Sequence, residues 1–198
     1  MHPNSKVFDM TLHLNDGRLV VFSRKDERES EELLNAIAPS EVFSRKALIL
    51  RNEESLSLFP TDKIARLEFS QMISQWTDPD EVMQADQIAD YDFQWLRETL
   101  SAVKRQFPEN RRLDDSILAA DLELANSEHL FLRVEFSAPT GNGNPKELLI
   151  DRILNTGGLI VRLREGGFTT INPKSVVRLT LYPMPNTAEV SHVNRAVG

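Results

Sequence analysis

The chain has 198 residues and no cysteine, which removes disulfides, thiolate metal sites and cysteine nucleophiles together and makes a reducing compartment the simplest setting. Histidine is scarce. The four are His2, His13, His129 and His192, and none falls in a His-x-x-x-His or His-x-Glu spacing that would place two ligands on one metal. No window approaches the roughly 18 apolar residues of a membrane span, and the N-terminal MHPNSKVFDMTLHL has no basic stretch leading into an apolar run. These absences lead to the expectation of a cytoplasmic protein with no membrane span, no metal and no cofactor.

Positive charge is also in short supply. The net charge is −7, distributed as −3 over residues 8–70, −5 over 71–116 and 0 over 117–182. Affinity that rests on neutralising phosphates needs a basic face, so this balance argues against nucleic acid as a partner.

What the sequence does contain is self-similarity. In FDMTLHLNDGRLVVFS, Met10, Leu12 and Leu14 alternate, Asn15-Asp16-Gly17 signals a turn, and Leu19, Val20, Val21 and Phe22 come next, which predicts a β-hairpin. About 110 residues on, ILAADLELANSEHLFLRVEF repeats the design, with Leu122 and Leu124 matching Leu12 and Leu14 and an Asn126-Ser127 turn before Leu130, Phe131 and Leu132.

The segments C-terminal to the two hairpins match as well. DERESEELLNAI predicts a short helix with Asp26 as cap, Glu29 closing a capping box and an apolar face of Leu33, Leu34 and Ile37. NPKELLIDRIL predicts another, with Asn144 as cap, Pro145 in the first turn, Glu147 three positions after the cap and Gly157-Gly158 as the stop. Then 47–69 aligns with 159–181, Leu48-Ile49-Leu50-Arg51 against Leu159-Ile160-Val161-Arg162, and Ile64, Arg66 and Leu67 against Val176, Arg178 and Leu179. Pro60 and Pro173 fall one position out of this register.

The expected fold is therefore α+β and predominantly β: two copies of a β-β-α-β-β-β module joined by a helical segment. The first module lies within 1–70, the helical connector in 71–116, the second module in 117–182 and a mobile or partner-bound tail in 183–198. In the connector, Asp78, Pro79 and Glu81 read as the start of a helix that ends at Phe107-Pro108. Ile88, Tyr91, Trp95, Leu96, Leu100, Val103 and Phe107 form its apolar stripe.

The Leu12-x-Leu14-x-Asp16-Gly17 hairpin, the intervening helix and a closing Ile/aromatic–Pro–Val/Ile-x-x-Leu pattern resemble small Sm-like β-barrels over about two-thirds of the chain. The resemblance implies a barrel or twisted sheet and a tendency to assemble. Two departures limit it: the helix falls between the second and third strands rather than before the first, and no residues match the RNA-contacting signatures of that family. RNA binding is therefore not implied.

No catalytic constellation emerges. The acidic run Asp78, Asp80, Glu81, Asp86, Asp90 and Asp92 lacks the glycine and terminal glutamate of a calcium loop and reads as a solvated helix face. Thr140–Asn144 lacks the lysine and hydroxyl of a P-loop and reads as a loop. His13 and His129 read as surface strand residues.

The charges that recur in both copies are Arg51, Arg66, Arg162 and Arg178. They read either as cross-strand ion pairs with neighbouring glutamates or as a groove for a small anion or carboxylate-bearing partner. Three functions are then open. The first is a non-catalytic binding or assembly protein with a protein partner or self-association through strand edges. The second is a small-anion-binding regulatory domain that uses the repeated arginines. The third, less favoured, is an enzyme acting through carboxylates such as Asp114, Asp115 or Glu135.

Overall fold

The computed structural model describes residues 8–24, 27–51, 56–71, 83–107, 116–137 and 145–183. The expected caps Asp26, Asp78 and Asn144, with Pro79 and Glu81, the loop 140–144, Asp114, Asp115 and the tail beyond 183 lie outside these residues.

The fold is α+β and mostly strands. In chain order come β1 (Phe8–Leu14), β2 (Leu19–Arg24), α1 (Glu27–Ile37), β3 (Ala47–Arg51), β4 (Leu56–Pro60) and β5 (Ile64–Phe69). Next are β6 (Met83–Gln87) and α2 (Asp90–Gln106). Then come β7 (Ile117–Leu124), β8 (His129–Phe136), α3 (Pro145–Asn155), β9 (Leu159–Arg162), β10 (Phe168–Ile171) and β11 (Val176–Tyr182). One-turn 3-10 helices at Thr61–Lys63 and Pro173–Ser175 lead into β5 and β11.

The two expected hairpins form with one geometry. In the first, the Leu14 N–H donates to Arg18 O (2.9 Å) and the Gly17 N–H to Leu14 O (3.0 Å); in the second, Leu124 N–H donates to Glu128 O (2.9 Å) and Ser127 N–H to Leu124 O (2.9 Å). The third loop residue must take positive φ, which Gly17 adopts at +84° without strain and Ser127 at +64° against the clash of its Cβ. Strand alternation turns Phe8, Met10, Leu12 and Leu14 into one core and Leu118, Ala120, Leu122 and Leu124 into a second. Each core is closed by a helix, with Leu34 and Ile37 of α1 in the first and Leu149 and Ile153 of α3 in the second.

Nine strands form one mixed sheet in the order β11-β7-β8-β6-β9-β10-β5-β1-β2, and β3 pairs only with β4 as a separate two-stranded ribbon. Of the two expected forms, barrel or twisted sheet, the closed barrel is excluded. Closing the second half would require β8 beside β9, but β6 lies between them, antiparallel to β8 and bridged in parallel to β9 at Asp86–Arg162. In the first half, among the described residues, β2 pairs with β1 and not with β3.

β6 is itself a correction. The segment expected to be helical from residue 78 is a strand over Met83–Gln87, because Met83 and Ala85 alternate inward to the second core while Gln84 and Asp86 point away. The helix starts only at Asp90. Its buried side also differs from the expected stripe. Phe93 is the buried residue, stacked on Phe131 of β8 at 4.7 Å between ring centroids, whereas Tyr91 is 81% exposed and Trp95 62% exposed.

The halves interlock through β10, which pairs with both β9 and β5 and is buried along its whole length. Its Phe168 enters the first core and stacks on Phe69 at 4.6 Å. The helix α3 ends at Asn155, just before Gly157 and Gly158, and the two glycines also allow close packing. A Cβ on Gly157 would lie 2.6 Å from the Glu41 Cα, and one on Gly158 would lie 2.4 Å from Thr170 Oγ1.

Candidate functional site

The densest charge in the described residues gathers where the halves meet. β5 carries Arg66 and Glu68 on one face, two positions apart, and β1 runs antiparallel beside it with His13 opposite Arg66. The β7–β8 turn supplies Asn126 and Glu128, and β10 supplies Thr169.

Arg66 is 5% exposed, so its charge requires partners, and each of its three nitrogens donates a hydrogen bond. Nε donates to both Glu128 oxygens (3.2 and 3.1 Å) and Nη2 to Glu128 Oε1 (2.8 Å), a two-pronged pairing. Nη1 donates to Glu68 Oε2 (2.6 Å) and to Thr169 Oγ1 (3.4 Å), while Thr169 donates onward to Leu67 O (2.8 Å). His13 Nε2 lies 3.2 Å from Glu68 Oε2, and its Nδ1 lies 3.8 Å from Glu128 Oε2.

These contacts set the carboxylates. The hydrogen bond with His13, reinforced by Arg66 and opposed by burial, holds Glu68 down at about 2. Burial alone would raise Glu128, but its bonds to Arg66 and the nearby His13 and Asn126 leave it below the usual carboxylate range. A general base works best with a pKa near the working pH, so carboxylates held this low by a shared arginine are suited to a clasp rather than to an acid–base pair.

A neutral set of contacts lies alongside. Asn172, fully buried, donates through Nδ2 to Thr61 O (2.9 Å) and Ile64 O (2.7 Å), and its Oδ1 accepts from the Lys174 N–H (3.0 Å). Ser175 Oγ donates to Asn15 Oδ1 (2.9 Å). Both sets join residues far apart in sequence across the junction.

Of the three recurrent arginines whose side chains are described, Arg66 alone belongs to this cluster. Arg178 pairs across strands with Glu123 at 3.0 Å, near the opposite end of the sheet, and Arg162 lies 3.8 Å from Asp86 of β6. Arg51 ends β3, and its side chain lies outside the described residues. Each described member thus sits on its own carboxylate.

Glu135 is paired with Arg133 on the same strand. His129, 38% exposed, meets Asp121 at 2.8 Å, while His13, expected at the surface, is only 13% exposed. Within the acidic run, Asp86 lies on β6 and Asp90 and Asp92 occupy the first turn of α2, where the helix dipole favours them.

Glu68, Glu128 and Asn126 carry no candidate role in the sequence pattern. One available signal was the Arg66-x-Glu68 spacing on a single strand face. The other was the turn itself, where Arg18 of the first hairpin is replaced by Glu128 in the second.

The outer faces of the two hairpins form the other notable surface. The registers Leu12–Val20 and Leu122–Leu130 place Val21 and Phe131 at the same position of each hairpin, both pointing away from their cores. Phe131 lies beneath Phe93 of α2, whereas Val21 is 57% exposed. Leu19, Ile49, Leu56 and Leu58 are also more than half exposed, all on the first half.

Compared with protein-family models, curated proteins and solved structures, the chain matches none of them.

Proposed function

We propose that this chain is a non-catalytic binding or assembly protein, built from two copies of one module whose strand order is of the Sm-like kind. The observation that carries the functional reading is the exposed apolar face of the β3–β4 ribbon, where Ile49 lies opposite Leu58 with Leu56 two positions along, together with the exposed Leu19 and Val21 of β2. Apolar side chains gathered on one strand surface mark interaction sites more often than singly scattered ones do. The charged cluster supports the same reading, since its arginine and carboxylates neutralise one another across the junction.

Duplication is supported by the shared turn geometry, by a 3-10 turn before each closing strand, and by two matching tethers. Asn15 N–H donates to Lys63 O (2.9 Å) and Ala125 N–H to Ser175 O (2.8 Å). The copies then differ in what surrounds each of them.

Native mass spectrometry of the full chain, purified gently from its own host, tests the reading. A defined homo-oligomer or a stoichiometric protein partner is expected. A bare monomer overturns the proposal, and a monomer that retains a small anion would return attention to the arginines.

A further inference from the structure

The side of α2 opposite Phe93 is open to solvent. Tyr91, Trp95, Glu98, Ala102 and Arg105 are all exposed there. Their spacing of four, three, four and three residues aligns them in one stripe along the helix. Tyr91 and Trp95 contribute nothing to either core, and these two residue types are enriched where proteins meet.

The charges on the stripe are unpaired. Residues three and four apart on a helix are neighbours, and those around Glu98 are Gln94, Trp95, Ser101 and Ala102, none of them basic. On the helical side of Arg105 lie Ser101 and Ala102, neither of them acidic. Among the described residues neither Glu98 nor Arg105 forms an ion pair, and Trp95 takes part in no ring contact. The other two cations of the helix are engaged elsewhere, Arg97 over the Tyr182 ring at 5.6 Å and Lys104 in a contact of its own.

Resting on the assembly reading above, we propose that this stripe is a self-association surface on which a second copy of the chain docks, the two α2 helices running antiparallel. From Trp95 to Arg105 the spacing is three, four and three, so it reads the same in both directions about residue 100. Antiparallel pairing therefore sets Trp95 opposite the partner's Arg105 and Glu98 opposite the partner's Ala102. Both contacts are complementary. A guanidinium over an indole face is a favourable cation–π pair, the same chemistry as Arg97 over Tyr182. The small Ala102 lets the helices approach and brings Glu98 within a turn of the partner's Arg105, its missing counter-charge. The two-fold axis makes each contact twice. A parallel pair would instead oppose Glu98 to Glu98 and Arg105 to Arg105, and like charges repel.

Size sets the strength. A 17-residue helix is about 25 Å long, so the contact belongs with small interfaces that exchange rather than with obligate ones. Each copy carries a net charge of −7, a long-range repulsion that is screened beyond about 8 Å at physiological ionic strength.

The experiment is sedimentation velocity of the full chain from micromolar to millimolar concentration at that ionic strength. It is repeated for Trp95→Ala, Glu98→Arg and Arg105→Glu and for an equimolar mixture of the last two. All three positions are exposed, so the fold should persist, and an unchanged urea midpoint checks this. In a dimer of Glu98→Arg alone, or of Arg105→Glu alone, the facing charges are alike. In the mixed dimer each is opposite its complement again.

A reversible dimer that weakens at least tenfold in each single variant and returns in the mixture is the expected result. A wild-type chain that stays monomeric up to millimolar concentration overturns the proposal, as does a mixture no tighter than its components. An oligomer or partner complex that persists unchanged in all three variants also overturns it, while leaving the assembly reading to the β3–β4 ribbon. A foreign protein retained by a monomeric wild-type chain and lost in Trp95→Ala would identify that protein, and not a second copy, as the occupant.

Discussion

The two halves share a hairpin but not its surroundings. In the second, residues 83–107 cover the β7–β8 pair twice, β6 along its edge and Phe93 of α2 over its outer face at Phe131. In the first, neither is present among the described residues, and Val21 and Leu19 are more than half exposed. The outer face of a hairpin can therefore be covered by residues from outside that hairpin, as in the second half, or left exposed, as at Val21 in the first. The difference also fixes the energetics, because a side chain contributes through the area it removes from water, about 25 cal/mol per Å² of apolar surface.

The largest expected effect lies where the halves interlock. Gly167 has φ +77°, and a Cβ there would lie 2.0 Å from Phe69 O, so Gly167→Ala should cost more than about 4 kcal/mol or abolish folding. Denaturant titration of that variant beside Gly17→Ala, whose Cβ meets nothing within 4 Å, separates interlocking from turn strain. A comparable loss in both would mean that the β10–β5 junction is not tight.

Next comes the covering of the outer face. Phe93→Ala should cost about 3 kcal/mol by removing the stack on Phe131 and the edge contact with Tyr182, whereas Val21→Ala, in the exposed hairpin, should stay within about 0.5 kcal/mol. Equal costs in urea melts would mean that the first half is covered after all.

The charged clasp ranks third. Glu128→Gln leaves buried Arg66 with Glu68 as its remaining carboxylate and should cost about 2–4 kcal/mol. The pH dependence has a definite sign. Glu68 titrates in the folded chain at about 2, below its ordinary 4.5, so its contribution is complete above about 4.5 and is lost as pH falls from 4.5 toward 2. Glu128, shifted the same way, adds to the loss. The urea midpoint of the wild-type chain should drop more steeply between pH 6 and pH 3 than that of Glu68→Gln. Parallel curves would remove the clasp from the stability of the fold.

Local pattern carried much of this architecture into view. Both hairpins, the helices at 27–37 and 145–155 and the closing strands result from alternation and turn residues, because each is decided by which side chains a short segment must bury. The start of the connector is not legible in the same way, because Met83 and Ala85 become strand residues only beside β8, a partner some 50 positions away in sequence. Periodicity also favours Tyr91 and Trp95 over Phe93, since a stripe of apolar residues does not reveal which part of it a neighbouring sheet will cover. The recurrent arginines are legible as strand residues with carboxylate neighbours. Glu128 is not, because its partner Arg66 lies in the other half and the turn that carries it is shaped by Asn126 and Ser127 rather than by charge.

The smallest effect compares the two turns directly. Both loops use the same Asx contact, Arg18 N–H to Asp16 Oδ1 (3.1 Å) and Glu128 N–H to Asn126 Oδ1 (3.2 Å), and both need positive φ at the next-to-last position. Only the first turn has glycine there. Ser127→Gly should therefore stabilise the chain and Gly17→Ser destabilise it, each by about 1 kcal/mol, because a Cβ in the left-handed region costs that much while neither change adds or removes a packing partner of note. Opposite shifts of the thermal midpoint, near equal in size, would place both hairpins under one backbone constraint despite their different surroundings. Shifts of the same sign would mean that the serine hydroxyl, and not the turn conformation, governs the second hairpin.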